Sequence, residues 1–403
     1  MAETADLVIV GGGVMGCAIA YNLAKEGLKP VVVERSEIGG EASGANGGGV
    51  RQSARNLKEM PLAMASVQLY DQLKEELGQD VEYVRQGNLR LCLTEEEAAT
   101  LAKSVENQKA AGLDLEMVDA KQVREILPHV SDQVVGASWC PTDGHANPFL
   151  TTYGFMKRAR ELGARFLTHE EVTGINLKRA KVTGVTTSQR KLSTDLVVNA
   201  AGVAGRRIAN MVGLDLPLKP VFSEALITEP VEPLFAQMIG SAKGAYYGRQ
   251  TPHGSIFWGG FIGTEDFIYE RDYSKPNYNC IGPATARGLI ELFPILAKLH
   301  VIRTWSGLIA AMSDGLPVLG LVDEVEGMVM ATGFSGHGFG LAPIIGRLIG
   351  ELIMDCQVSI PLQDFCYGRF DRGGQGSCEC QDNATCTIDT AACPNKRSFL
   401  KNI

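Results

Sequence analysis

The chain has 403 residues, of which 45% are hydrophobic and 21% are charged, and its formal net charge is −8. This composition supports packed cores in more than one lobe and excludes an intrinsically disordered chain. The acidic balance argues against nucleic acid or an anionic membrane surface as the main partner. The N-terminus MAETADLVIVGGG has no secretory signal pattern, and the apolar stretch GFGLAPIIGRLIGELIM is interrupted by Arg347 and Glu351. These features predict a chain without a transmembrane segment that is cytoplasmic, or peripheral at the inner membrane through a partner.

The first fifty residues predict a strand, a turn, a helix and a second strand. DLVIV is followed by GGGVMG, by the helical pattern CAIAYNLAKEG and by the apolar run PVVVE. Gly11 would permit the tight turn, Gly13 would let a pyrophosphate approach the backbone, and Gly16 would let helix and strand pack closely. Glu34 ends the second strand, where a carboxylate can accept hydrogen bonds from ribose hydroxyls. The predicted dinucleotide site includes Gly11, Gly13, Val14, Met15, Gly16, Glu34 and Arg35.

The next segment helps to distinguish FAD from NAD, since both share this glycine fingerprint. Residues 38–55 read IGGEASGANGGGVRQSAR, which is too rich in small residues to form a packing element. Such a loop suits a backbone laid along an extended cofactor, although a merely flexible loop is the alternative. The residues predicted to contact the cofactor here are Ser43, Gly44, Asn46, Gly47, Gly48 and Gly49.

Three later segments complete the predicted architecture. An apolar strand runs into the small-residue turn Ala200, Ala201 and Gly202, which returns the chain to the nucleotide lobe. The stretch GAYYGRQTPHGSIFWGGF predicts a hairpin in a second sheet, because alternating strand-like residues flank a Pro and Gly turn. The strand MVMATG then leads through FSGHGFG into a long helix. The chain thus enters the nucleotide lobe three times.

Five ordered motifs resemble those of the D-amino-acid oxidase-like FAD-dependent oxidoreductases. They are GGGVMG with Glu34, DGHANP, the NAAG turn, WSGLIAAMSDGLPVLG and GFSGHGFGLAPIIG. Within that family, ASGANGGGVRQ and RQTPHGSI look most like the catalytic beta subunits of multi-subunit amine dehydrogenases. Those proteins act on hydroxyproline or proline, or are opine oxidases or hydrogen cyanide synthase.

The resemblance implies an α/β fold in which a Rossmann-like domain binds FAD. That domain would comprise residues 1–85, 145–216 and 305–366. A second, mostly antiparallel β-sheet domain of residues 86–144 and 217–304 would cover the substrate, and residues 367–403 would form a Cys-rich tail. Further cofactor contacts implied by the resemblance are Val172, Ala200, Ala201, Gly202, Gly307, Gly336, His337, Gly338, Phe339 and Gly340.

The implied reaction is hydride transfer from the carbon bearing the substrate amine to flavin N5, which gives an imine that water hydrolyses. In a dehydrogenase the electrons would pass to another subunit of a hetero-oligomer or to a separate acceptor. The alternatives are a self-contained oxidase that reduces oxygen and a non-catalytic FAD-bound scaffold subunit. An NAD enzyme is the weakest alternative.

A substrate carboxylate would need an arginine anchor, because a planar guanidinium binds a carboxylate through two hydrogen bonds. In glycine oxidase-like relatives an arginine often follows the WxGL motif, but Ile309 stands there in this chain. We predict Arg249, with Tyr246 and Tyr247 sharing the carboxylate, or Arg51 beside the flavin loop. His337 would add polarity at the flavin, or would only pack over it.

Other polar residues are weaker candidates. Arg303 is predicted to be a salt-bridged surface residue or a strand residue. His253 is predicted to lie in a hairpin turn, and His145 to fix the turn before a helix.

The C-terminal tail carries Cys378, Cys380, Cys386 and Cys393 within a short polar segment. Four thiolates can bind zinc or an iron–sulfur cluster, and an iron–sulfur centre would relay single electrons from a flavin. The alternatives are disulfides and a tail that is ordered only by a partner chain. Nothing about this tail follows from the family resemblance.

Overall fold

The computed structural model describes residues 3–244, 246–260, 281–355 and 358–370. The helices in this part of the chain are α1 Val14–Lys25, α2 Ala42–Ala45, α3 Met60–Tyr70, α4 Leu73–Leu77, α5 Glu95–Ala110, α6 Ala120–Ile126, α7 Pro148–Glu161, α8 Gly205–Asn210, α9 Ile281–Leu292 and α10 Gly338–Asp355. None of these helices is both long and apolar enough to cross a membrane.

The strands of the first half are β1 Glu3–Thr4, β2 Val8–Val10, β3 Val31–Val33, β4 Gly49–Val50, β5 Asn88–Cys92, β6 Glu116–Asp119, β7 Gly136–Cys140, β8 Gly144–His145, β9 Arg165–Leu167 and β10 Val172–Lys178. Those of the second half are β11 Lys181–Thr187, β12 Lys191–Ser193, β13 Val197–Asn199, β14 Leu218–Pro230, β15 Met238–Ser241, β16 Tyr246–Gln250, β17 Ser255–Gly260, β18 Val301–Met312, β19 Val318–Leu321 and β20 Met328–Thr332. The predicted α/β class is confirmed, and the two large sheets each contain parallel and antiparallel pairs.

The chain divides into two compact units. Unit 1 comprises Met1–Gly40, Thr152–Lys219 and the described residues from Ala310 onward. Unit 2 comprises Glu41–Thr151 and Pro220–Ile309.

The predicted boundary after residue 85 differs from this division, because residues 41–85 group with unit 2. Strand β4 pairs with β8, and the amides of Gln52 and Ser53 donate to Asp143, at 2.7 and 3.4 Å, so these contacts hold the segment to unit 2.

Unit 1 contains a six-stranded sheet in the order β19-β20-β13-β2-β3-β9. All neighbouring pairs are parallel except β19 with β20. Strands β2, β3 and β13 are buried at every residue, as expected for apolar strands covered on both faces. Helices α1 and α10 pack closely at Gly346, where a Cβ would stand 2.8 Å from the Ala18 carbonyl.

Unit 2 contains an eight-stranded sheet in the order β18-β14-β17-β16-β15-β5-β7-β6. The pairing of β15 with β5 is parallel, whereas the pairs β14–β17, β15–β16, β16–β17, β5–β7 and β6–β7 are antiparallel. One face carries Leu89, Ile239 and Trp258, which share a buried core with Leu289 of α9. Side chains alternate along a strand, so the intervening residues point to the opposite face. That opposite face carries the arginines described below.

Candidate functional site

The glycine-rich turn of unit 1 has the geometry of a phosphate-binding loop. Gly11 has φ +109°, and a Cβ there would stand 2.5 Å from the Ala200 carbonyl oxygen. A Cβ on Gly16 would overlap the Gly11 carbonyl. Helix α1 follows Gly13, and no side chain caps it. Val14 and Met15 are the first residues of α1, and uncapped helix amides beside a surface without side chains suit a pyrophosphate.

Glu34 is held at the end of β3 by hydrogen bonds from the backbone. Its Oε2 accepts from the Gly12 amide at 2.7 Å, and its Oε1 accepts from the Ser36 amide at 2.8 Å and hydroxyl at 3.0 Å. A carboxylate has about four acceptor positions, so capacity remains for a ribose hydroxyl. Arg35 follows directly and is half-buried. The carboxylate is therefore oriented in advance for the predicted role.

The turn after β13 adjoins Gly11 at the same edge of the sheet. The carbonyl of Ala200 is the group that a Gly11 side chain would strike, and the Ala201 amide donates to the Asn199 side chain at 3.3 Å. Gly202 has φ +53°. Val172 is buried at the start of β10, in the four-stranded sheet β1-β12-β11-β10.

A second helix N-terminus of unit 1 begins after a strained turn. Ser335 and Gly336 have φ +49° and +90°, the His337 amide donates to the Phe334 carbonyl at 2.8 Å, and α10 starts at Gly338. His337 is half-buried, while Phe339 and Gly340 in the first turn of α10 are buried. The positive end of this helix favours a negatively charged group, as predicted for the flavin edge.

In unit 2 the segment predicted to lie along the flavin is ordered by its own side chains. Asn46 donates to the carbonyls of Ala42 and Ser43 at 3.0 and 2.9 Å, and it accepts from the Gly48 amide at 2.8 Å. Ser43 and Gly44 belong to the short helix α2. The flexible-loop alternative therefore does not describe this segment.

Glycines let the loop pass close to its neighbours. A Cβ on Gly47 would stand 2.7 Å from the Tyr247 ring, and one on Gly49 would stand 3.2 Å from Cε of Met238. Gly48 has φ +78°. Packing within unit 2 thus requires glycine at positions 47 and 48 and leaves little space at position 49.

An aromatic row lies beside this loop. The rings of Tyr247 and Phe257 are 5.6 Å apart, and those of Phe257 and Trp305 are 5.7 Å apart. The Trp305 indole donates to the Ala45 carbonyl at 3.0 Å. Gly307 is required here as well, since a Cβ would stand 2.9 Å from Cβ of Ala45. Phe257 and Trp305 were not predicted as site residues.

Arg249 is the most distinctive polar residue of unit 2. It is only 6% exposed, and its Nε donates to the Gly47 carbonyl at 2.7 Å. Its Nη1 is buried and has no hydrogen-bond partner in the described residues. Burial lowers the pKa of Arg249 to about 10, so it is still charged at neutral pH. A buried cationic nitrogen without a partner is costly, and a ligand carboxylate would satisfy it.

The two tyrosines next to Arg249 point in opposite directions. Tyr247 shares the arginine's face of the sheet, and burial raises the pKa of its phenol, so it remains a hydrogen-bond donor. Tyr246 packs instead against the apolar core, where a Cβ on Gly288 of α9 would stand 2.5 Å from its ring. The prediction that both tyrosines share the carboxylate is thus corrected, because adjacent strand residues face opposite ways.

The remaining arginine and histidine candidates differ in their burial and in their contacts. Arg51 directly follows β4 and is half-buried, with no ion pair to any described carboxylate. Arg303 stacks over the Trp305 ring at 5.7 Å. His253 is exposed at a hairpin turn, 3.7 Å from a carboxylate oxygen of Glu82. His145 is buried and its Nε2 lies 3.1 Å from the Ala236 carbonyl, so it holds the chain in place.

The predicted metal ligands Cys378, Cys380, Cys386 and Cys393 lie outside the described residues. Within the described ranges, no group of three or more His, Cys, Asp or Glu side chains could hold a metal ion.

Two further arginines of unit 2 were not predicted as site residues. Arg55 is buried, with its Nε 3.3 Å from the Arg51 carbonyl, and Arg90 lies on β5. Residues 86–94, QGNLRLCLT, alternate as a strand does, but nothing local indicates which face the arginine occupies.

Comparison with known proteins agrees with this geometry. The family model described as FAD dependent oxidoreductase matches residues 6–352. The beta subunit of sarcosine oxidase from Arthrobacter sp is 29% identical, over 91% of this chain and 91% of its own length. An opine oxidase subunit from Rhizobium meliloti is 28% identical, over 91% and 98%. The crystal structure of L-proline dehydrogenase from P. horikoshii has a TM-score of 0.86 and 32% identity, covering 93% of this chain and 99% of that one.

These likenesses confirm the predicted resemblance and the predicted FAD-dependent enzyme class. The glycine turn, the fixed Glu34 carboxylate and the family match agree, and the chain belongs to the FAD dependent oxidoreductase family.

Proposed function

We propose that the chain oxidises a small amine that carries a carboxylate, with FAD as cofactor, as the flavin subunit of a hetero-oligomeric dehydrogenase. The observation that carries this proposal is the buried Nη1 of Arg249, which has no partner in the described residues. A guanidinium that is already fixed through Nε to the Gly47 carbonyl is oriented to receive a carboxylate.

Bound FAD would supply the acceptor for a hydride from the carbon that bears the amine, and water would hydrolyse the resulting imine. Gly11, Gly13 and Gly16 would admit its pyrophosphate, and Glu34 would accept hydrogen bonds from its ribose. The first amides of α10, from Gly338, would favour negative charge on the flavin.

The residues of unit 2 would act on the substrate. Arg249 would hold the carboxylate, and the protonated Tyr247 phenol would donate a second hydrogen bond to it. The aromatic row of Tyr247, Phe257 and Trp305 would exclude water from the amine-bearing carbon. These residues position the substrate, and none is asked to move a proton during the hydride step.

The hetero-oligomer part of the proposal is supported by the names of two relatives, which are the beta subunit of a sarcosine oxidase and one subunit of an opine oxidase. In a dehydrogenase, oxygen would react slowly with the reduced protein, whereas a partner or an artificial acceptor would reoxidise it quickly. Rapid reoxidation by oxygen with peroxide release would favour the self-contained oxidase instead.

The decisive experiment is an anaerobic absorbance titration of the full chain with FAD bound. Sarcosine, glycine, proline and an opine would be added in turn, and loss of the visible flavin absorbance with at least one of them is expected. Arg249→Met should keep its flavin but lose the bleaching, while Arg124→Met, at an exposed position on α6, should behave as the parent. Bleaching that persists unchanged in Arg249→Met would contradict the assigned carboxylate anchor.

Metal analysis of the same preparation tests the separate hypothesis about the tail. Stoichiometric iron with absorbance that survives removal of the flavin would support an electron relay at Cys378, Cys380, Cys386 and Cys393. Stoichiometric zinc would support a structural site, and the absence of both metals would count against the metal hypothesis.

A further inference from the structure

A third arginine stands on the same sheet face as Tyr247 and Arg249. Arg90 of β5 pairs with Gly240 of β15, and Gly240 pairs with Tyr247 of β16. Directly paired residues point to the same face, so Arg90 and Tyr247 flank a glycine that has no side chain. Two strand spacings separate them, about 10 Å between Cα atoms. Gly240 leaves a slot between the two side chains.

Met238 precedes Gly240 by two residues on β15, so it points to the same face. Arg51 lies near Met238. A Cβ on Gly49 would stand 3.2 Å from Cε of Met238 and 3.6 Å from Nε of Arg51. Burial and the positive charge of Arg51 lower the pKa of Arg90 to about 10. The charge of Arg51 therefore disfavours the charged form of Arg90.

Of the three arginines Arg51, Arg55 and Arg90, only Arg55 has described carboxylates nearby. Arg55 has the carboxylates of Glu59 and Asp143 nearby, and both act to raise its pKa. Arg51 and Arg90 have no hydrogen bond or ion pair from their side chains to the described residues, and burial and Coulomb effects alone shift the pKa of Arg90. Two partly buried cations that have no carboxylate partner among the described residues would favour a bound anion.

We propose that Arg90, together with Arg51, binds a second carboxylate of the substrate, while Arg249 binds the first. The substrate would then be an amine with two carboxylates, the second lying on its side chain or on its nitrogen substituent. This inference rests on the proposed function and adds Arg90 as a specificity-determining residue. A monocarboxylic amino acid would leave the cation pair without an anion.

The test measures binding to the full chain with FAD bound, by calorimetry and by the flavin difference spectrum, without turnover. The probes are acetate, malonate, succinate and glutarate, followed by iminodiacetate and glutamate as the nitrogen-linked and side-chain diacids. At least one diacid should bind the parent about 10- to 100-fold more tightly than acetate. Arg90→Met should weaken binding of that diacid about 10- to 100-fold, which is the cost of a charge-assisted hydrogen bond. It should weaken acetate binding by less than about threefold.

Three further variants make the result specific. Arg90→Lys should lose part of the diacid affinity, because an ammonium keeps the charge but not the planar pair of donors. Arg249→Met should weaken the binding of acetate and of the diacids by similar factors. Arg124→Met removes the same charge from an exposed helix position and should change nothing. Circular dichroism and the flavin content of each variant show whether it has folded.

Two outcomes would overturn the inference. Equal affinity of the parent for acetate and for every diacid would show that there is no second carboxylate site. An equal loss of affinity for acetate and for the diacid in Arg90→Met would show that Arg90 acts only through its general electrostatic field. Failure of the proposed function has a different signature, since no amine would bleach the flavin while Arg90-dependent diacid binding remained.

Discussion

The two units present their candidate ligand sites through different parts of the polypeptide. In unit 1 the turn at Gly11, the uncapped start of α1 and the start of α10 are made of backbone, and the Glu34 carboxylate is already hydrogen-bonded by the Gly12 and Ser36 amides. In unit 2 the site consists of side chains on separate strands and a loop. Its Arg249 keeps a buried nitrogen without a described partner.

This contrast indicates how each site responds to change. A backbone site has no room for an added atom, so a single methyl group should abolish it. A side-chain site can keep its shape when one group is replaced, and it should lose affinity in proportion to the charge or hydrogen bond removed. The following predictions test that division, from the largest expected effect to the smallest.

Adding one methyl group to the turn should eliminate flavin binding. Gly11→Ala would force a Cβ to within 2.5 Å of the Ala200 carbonyl in a backbone conformation that disfavours side chains. The combined cost is about 2–5 kcal/mol, so FAD affinity should fall at least about 100-fold. Flavin content after gel filtration and thermal unfolding measure the effect.

Gly174→Ala is the matched control, since a Cβ there meets nothing within 4 Å in the same unit. If Gly11→Ala retained the parent's flavin content, the backbone account of unit 1 would be wrong.

Replacing the guanidinium of Arg249 should leave FAD binding unchanged and weaken substrate binding. Arg249→Lys keeps the charge but loses the planar fork and the Nε bond to the Gly47 carbonyl. The rate of anaerobic flavin reduction at low substrate concentration should fall about 30- to 300-fold, or about 2–3.4 kcal/mol. A parallel loss of FAD would show that unit 2 depends on its side chains for more than substrate binding.

The buried His145 should make unit 2 sensitive to acid. Burial, followed by the charge of Arg249, lowers the pKa of His145 to about 3, below its unfolded value of about 6.5. The unfolded chain therefore takes up the proton first, and stability falls as the pH drops from about 6.5 towards 3, by up to about 1.4 kcal/mol per pH unit.

His145→Gln can still donate to the Ala236 carbonyl but does not titrate. Urea unfolding at pH 7 and pH 5 should show a smaller pH difference in this variant than in the parent. Identical pH dependence in both proteins would exclude His145 as the titrating group.

The indole hydrogen bond of Trp305 should have the smallest effect. Trp305→Phe removes the donor to the Ala45 carbonyl but keeps an aromatic ring beside Phe257. We expect a loss of about 1 kcal/mol in unfolding free energy and a several-fold rise in KM. Trp139→Phe, on β7 of the same sheet, is the control for tryptophan removal, and it should leave KM unchanged.

The sequence alone was sufficient to predict the part of the unit 1 site at residues 11–34, because the requirements of that part are local. Tight turn, close helix packing and ribose acceptor fall within residues 11–34, and each requires a residue type that can be read directly. The order of the later motifs was sufficient to identify the family.

Only the tertiary structure decided the unit 2 site. Tyr246 and Tyr247 are neighbours in sequence but lie on opposite faces, whereas Arg90 and Tyr247 are far apart in sequence and share one face. The parallel pairing of β5 with β15 produces that arrangement, and a register shift of one residue would turn Arg90 into the apolar core. Strand register depends on contacts between distant segments, so no local pattern could reveal which arginines lie together or which cations lack a partner.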